Sequence, residues 1–117
     1  MNQTYPMFLH FLAGVFGAIG QYFYKKGGAR MGSLPLLQNG WILTGVLSFA
    51  LVMVFFVLSY KAGGRLSAVY PVYATTFVWG ALIGHFAEGE TLDIFTIGGI
   101  ALILVGVAAI GYGATRA

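Results

Sequence analysis

GRLSAVYPVYATTFVWGALIGHFAEGETLDIFTIGGIALILVGV, residues 64–107, is the stretch that decides the fold. An apolar run begins after Arg65, carries Tyr70, Pro71 and Tyr73 near its start, and ends at His85. A short acidic turn with Glu88, Glu90 and Asp93 follows, and then a second apolar run that repeats glycine at Gly99, Gly106 and Gly113. A helix needs about 20 apolar residues to cross hydrocarbon, so the pair reads as a helical hairpin in a bilayer.

The rest of the chain extends that reading. Hydrophobic residues make up 59% of 117 residues and charged residues 8%, against roughly a quarter charged in a soluble domain. The length leaves room for four crossings and short links. The expectation is an all-α membrane protein with one four-helix transmembrane domain over 1–117 and helices at about 6–26, 40–60, 66–86 and 94–113. The basic residues sit at the ends of apolar runs, where they reach lipid headgroups. They do not form the clustered basic face that nucleic-acid binding requires. The chain has no cysteine, which removes disulfides, zinc-thiolate sites and thiol catalysis. No metal and no cofactor are expected. The first apolar run exceeds a signal-peptide core and ends in Lys25-Lys26 rather than a small-residue cleavage site, so it reads as a permanent helix.

Helix one places His10, Gly14, Gly17, Gln21 and Lys25 on one stripe, at spacings of four, three, four and four. Polar side chains are costly in hydrocarbon unless they meet protein or a water-filled cavity. The stripe is therefore either a packing seam, with Gly14 and Gly17 admitting a neighbour closely, or a cavity wall. The glycine-rich segment from Gly27 to Asn39 is a surface loop. Helix two, between Trp41 and Tyr60, reads as scaffold. In helix three, Pro71 removes a backbone hydrogen bond and is expected to kink the first two turns. Tyr70, Tyr73, Thr76, Phe77, Gly80 and Gly84 fall within about 120° of arc there, as an aromatic belt or a substrate-facing wall. In helix four, Gly99, Gly106 and Gly113 recur every seven residues and form a straight seam, suited to a second copy or to packing within the chain. Glu88, Glu90 and Asp93 lie on the side of Lys25, Lys26 and Arg30, where interfacial salt bridging is their expected role.

In order, Gly20-Gln21-x-x-x-Lys25, Ala68-Val69-Tyr70-Pro71, Gly89-Glu90-Thr91-Leu92 and the segment from Gly99 to Val107 resemble the recurring segments of the drug/metabolite transporter superfamily in its small four-helix form. The resemblance covers essentially the whole chain. Two subgroups are similar. Small multidrug resistance exporters share the Tyr70/Tyr73 spacing and the heptad glycines, which in that family pair two protomers into antiparallel dimers. Their proton-coupling glutamate would stand at Gly17 here, and no Asp or Glu lies inside any of the four apolar runs. The aminoarabinose-phosphoundecaprenol flippase subunits, with related proteins carrying the general, EamA-like transporter domain, share the Gly-Gln-x-x-x-Lys and Ala-x-Tyr-Pro segments more closely.

The resemblance implies a transporter in the bacterial inner membrane. It would work as a homodimer or with a related four-helix partner, and move an amphipathic or lipid-linked polar substrate in a flippase-like manner. The alternatives are a multidrug-type exporter and a non-transporting accessory subunit. Gln21, Lys25, Tyr70, Tyr73 and Thr76 are the expected substrate-binding residues. Lys25 would meet phosphate and the Gln21 amide a headgroup, while His10 is a pH-responsive candidate on the same stripe. An enzyme is not expected, since His10 and His85 lie toward opposite surfaces with no acid beside either at depth.

The cations count three on each side: Lys61, Arg65 and Arg116 against Lys25, Lys26 and Arg30. Such balance leaves the positive-inside rule nearly silent: it is what a protein that inserts both ways shows, and a count this small also balances by chance. With a single cysteine at Asn2 or Ala117, about half of the molecules in intact cells should react with a membrane-impermeant thiol reagent, and the rest only after permeabilisation. Labelling that is all or none means one orientation, and a homodimer would then be parallel.

Overall fold

The computed structural model describes residues 2–33 and 35–116, the side chain of Thr115 apart; the two ends of the expected 1–117 domain lie outside it. Among the described residues all regular structure is helical. Four helices are long and apolar enough to span a membrane: α1, Thr4–Gly28; α2, Gly40–Lys61; α3, Leu66–Glu88; and α4, Ile94–Arg116, apolar as far as Ala114. The expected starts of α2, α3 and α4 agree, while the start of α1 falls two residues short and the four ends one to three residues short. Asn39 accepts from the Ile42 N–H at the start of α2, and Gly89 closes α3 in the left-handed region (φ 69°), its N–H donating to the His85 carbonyl while the Glu90 N–H donates to that of Gly84. Asp93 accepts from the Thr96 N–H at 2.8 Å, ahead of α4. That bond holds its carboxyl below the usual carboxylate range. This capping contribution is present above the ordinary carboxylate range and is lost as pH falls through the lowered value.

The loop after α1 contains one turn of 3₁₀ helix, Leu36–Gln38. A further departure from regular α-helix lies in α3. After Leu66–Val69 the chain winds as 3₁₀ helix over Tyr70–Thr75 and returns to α-helix at Thr76–Glu88. Pro71 has no N–H to give the α ladder, and the backbone tightens there instead of simply bending.

The helices lie side by side in the order α2, α1, α3, α4. α1 packs on α2 along its length and on the second half of α3, while α4 packs chiefly on the Leu66–Thr75 part of α3. The molecule is a slab with principal extents of 53 × 37 × 16 Å. A single helix with its side chains is about 10–12 Å across, so the thin dimension is close to one layer. One layer cannot enclose a polar path.

Backbones approach closely at the α1–α2 seam. A methyl group at Gly20 would strike the Phe49 ring, and one at Gly45 the Tyr24 ring, rings that stack on each other at 5.2 Å. The Ser48 hydroxyl donates across the seam to the Phe16 carbonyl at 2.7 Å. Both ends are clamped by buried amides. At one surface the Asn39 side chain donates to the Gly27 carbonyl at 2.8 Å. At the other, Gln3 donates to the Gly63 carbonyl at 3.2 Å and accepts from the Arg65 N–H at 2.8 Å. Arg65 also donates to the Ala114 carbonyl at 3.2 Å, tying the end of α4 to the start of α3.

Because Asn39 is fully buried and serves both as helix cap and as tie to α1, Asn39→Ala should cost about 1–3 kcal/mol, read as a shifted midpoint of denaturation in mixed micelles. An unshifted midpoint would show that water or lipid headgroups replace both bonds.

Candidate functional site

A groove runs between α1 and α3, built from α1 residues spaced a turn apart and from the face of α3 that follows the 3₁₀ segment. Its wide part has a volume of about 460 Å³, lined by Ala18, Gln21, Tyr73, Thr76, Phe77 and Gly80. A narrower part of about 130 Å³ continues toward the α3–α4 turn, where Lys25, Gly84, Glu88 and Glu90 join the lining. Ala18, Gln21 and Gly80 belong to both parts and make them continuous. Small residues, Ala18 on one wall and Gly80 on the other, leave the space that a larger side chain would fill.

Four residues expected to meet substrate come together here: Gln21, Lys25, Tyr73 and Thr76. Gln21 is exposed in the groove and its amide bonds to nothing among the described residues. It stands seven residues before the end of α1, about 10 Å along the helix axis. At that depth an open amide requires water, a ligand or a partner. Gly14 and Gly17 let the 3₁₀ segment approach α1. A methyl at Gly14 would lie 3.0 Å from the Thr75 hydroxyl oxygen, and one at Gly17 would overlap the Tyr73 hydroxyl. Gly17 thus sets where the Tyr73 phenol rests, and the Tyr73 ring is supported from the other side by Phe56, 5.1 Å away.

Two expected residues are elsewhere. His10 is fully buried between α1 and α2, away from the groove. Its Nδ1 lies 2.9 Å from the Ser59 hydroxyl, which itself donates to the Pro6 carbonyl at 2.9 Å. Its ring stacks on Phe56 at 4.8 Å, and its Nε2 is buried without a partner among the described residues. The stripe drawn on an ideal helix took no account of α2, which covers the His10 end of α1 and leaves the Gln21–Lys25 end open. Tyr70 is exposed, one 3₁₀ turn before Tyr73 and outside the groove lining. The glycines of α4 are open: at Gly99, Gly106 and Gly113 an added methyl meets no described atom within 4 Å.

Sequence reasoning gave Glu88 and Glu90 no place in a site. Glu90 forms an ion pair with Lys25, and Glu88 pairs with Lys26 at 3.3 Å, so both acids close the narrow end of the groove. The signal was present in the Gly89-Glu90-Thr91-Leu92 segment and in the shared side of acids and cations. A chain folded back at Gly89 was needed to bring Glu90 over Gly84, where a methyl group would collide with its carboxylate.

Among the described residues no group of three metal-ligating side chains occurs. A four-helix membrane layer with an open, mostly apolar groove that carries a few polar side chains is the architecture of a small multi-pass transporter. Comparison agrees. The chain is 33% identical over 97 residues to a probable 4-amino-4-deoxy-L-arabinose-phosphoundecaprenol flippase subunit ArnE of Pseudomonas syringae pv. syringae, covering 81% of this chain and 87% of that protein. It is 29% identical over 97 residues to the protein of the same name from Pectobacterium atrosepticum, covering 77% and 83%. The chain belongs to the family of these flippase subunits, small four-helix members of the drug/metabolite transporter superfamily. No protein-family model and no solved structure matches it.

The contact between Gly17 and Tyr73 is testable by a double-mutant cycle. Gly17→Ala should destabilise by about 1 kcal/mol, and in a Tyr73→Phe background, which removes the colliding hydroxyl, the loss should shrink by more than half. Equal losses in both backgrounds would place the strain elsewhere.

Proposed function

We propose that this chain is one half of an inner-membrane transporter that moves a lipid-linked polar molecule across the bilayer, headgroup in the α1–α3 groove and lipid chain outside it. The observation that carries the reading is the lateral opening. The groove is a furrow on the face of a slab, with an unpaired amide and hydroxyls at membrane depth, and among the described residues only α1 and α3 line its wide part. Such a furrow admits a headgroup while its hydrocarbon tail stays in lipid, which an enclosed channel would not allow. The relatives are named for a substrate of that form, an amino sugar joined through phosphate to undecaprenol. Gln21, Thr76 and the Tyr73 phenol would bond the sugar, and Lys25 the phosphate.

A second subunit completes the path. The single layer leaves one side of the groove to a partner, and the open glycine seam of α4 supports pairing there. A second copy inserted oppositely, or a related four-helix protein, would supply the inverted repeat on which alternating access is built.

The test is headgroup translocation in reconstituted vesicles, using a polyprenyl phosphate carrying an amino sugar. Gln21→Ala and Tyr73→Ala should each slow translocation about tenfold while expression stays normal, as expected for losing one bond to a desolvated headgroup. Unchanged rates would remove both residues from the path.

A further inference from the structure

The narrow end of the groove holds four charged side chains in two ion pairs, Lys25 with Glu90 and Lys26 with Glu88. The Lys25 and Glu90 side chains are each about half exposed, at 55% and 54%, so a ligand reaches both without unfolding anything. Glu90 is not held there by burial. Its carboxylate rests in the space left by Gly84 on the last turns of α3, where even a methyl group would collide with it. The backbone turn carrying it is set by two further bonds. The Glu90 N–H donates to the Gly84 carbonyl at 3.0 Å, and the Glu90 carbonyl accepts from His85 Nδ1 at 2.8 Å. Backbone and side chain together aim the carboxylate at the groove.

Charge balance at this end is a statement about ligands. The two cations and two anions sum to zero, with Lys25 and Glu90 already paired. A ligand bearing only a phosphate could take Lys25, but it would leave Glu90 unpaired at the rim of a low-dielectric groove. A ligand bearing only an amine would strand Lys25 in the same way. At half-exposed side chains the cost of a lost pair is small, so discrimination rests chiefly on the second charge-assisted pair that a matched ligand gains. A headgroup carrying both a phosphodiester and a primary amine replaces one internal pair by two ligand pairs and leaves no charge behind.

We propose that Glu90 is the specificity-determining residue for a zwitterionic lipid-linked headgroup. Its carboxylate, cradled at Gly84, receives the ligand's ammonium while Lys25 receives its phosphate, and the resident Lys25–Glu90 pair closes the groove end when no headgroup is bound. The inference rests on the transport reading above. It adds the residue that reads the amine.

The test uses the full chain, reconstituted with any membrane subunit that copurifies, and two probes: a polyprenyl phosphodiester of an amino sugar, and the same lipid with the amine acetylated. The wild type should translocate the free-amine probe about tenfold faster, the preference expected of one charge-assisted hydrogen bond. Glu90→Gln should bring the rates of the two probes together, while Glu90→Asp keeps most of the preference. Gly84→Val, which displaces the carboxylate without removing it, should behave like Glu90→Gln. A preference that survives Glu90→Gln overturns the assignment, and so does an equal slowing of both probes. A wild type that translocates neither probe overturns the transport reading itself, and this inference with it.

Discussion

Hydrocarbon offers no hydrogen bonds, and that one constraint orders nearly everything polar in this chain. Gln3, Asn39, Ser48 and Ser59 each spend their side chains on a backbone carbonyl of a neighbouring segment. They weld α1 to α2 and to the α2–α3 link. His10 is drawn into the same layer through Ser59. Gln21, by contrast, is an exposed amide facing the groove, while His10 Nε2 and Trp79 Nε1 are buried without a partner among the described residues.

The same constraint governs where backbones touch. Close approach at the α1–α2 seam runs through Gly20 and Gly45, and against the 3₁₀ segment through Gly14 and Gly17. Attraction between membrane helices comes from packing more than from expulsion of water, so bare backbone at a crossing is what allows a firm contact. In α4, Gly98, Gly99, Gly106 and Gly113 have no described atom within 4 Å of an added methyl, and most of the helix surface is exposed. A helix so equipped and so little used internally fits the family's naming as a subunit.

Charge is confined to the rim. Lys25, Lys26, Glu88 and Glu90 gather where α1 ends and the α3–α4 turn begins. Exposed pairs of this kind add little stability. In the proposed function they stand at the mouth of the groove, whereas the integrity of the fold rests on the buried amides and the glycine seams.

Sequence by itself determined the class, the four helices to within a few residues, and the list from which the groove is drawn. Apolar runs of spanning length have essentially one solution in a bilayer, and glycine, proline and charged residues mark their ends. It also supplied Gln21, Lys25, Tyr73 and Thr76, because polar groups inside such runs are rare enough to count. Tertiary structure alone decided which of them meet. An ideal helical stripe joined His10 to Gln21, but α2 covers the His10 end and leaves the Gln21–Lys25 end open to the groove beside α3, and a helical wheel carries no knowledge of its neighbours. Glu90 entered the site only because the chain turns back at Gly89 and lays a carboxylate in the space left by Gly84. Such juxtapositions depend on packing between segments distant in sequence, and periodicity within one helix does not encode them.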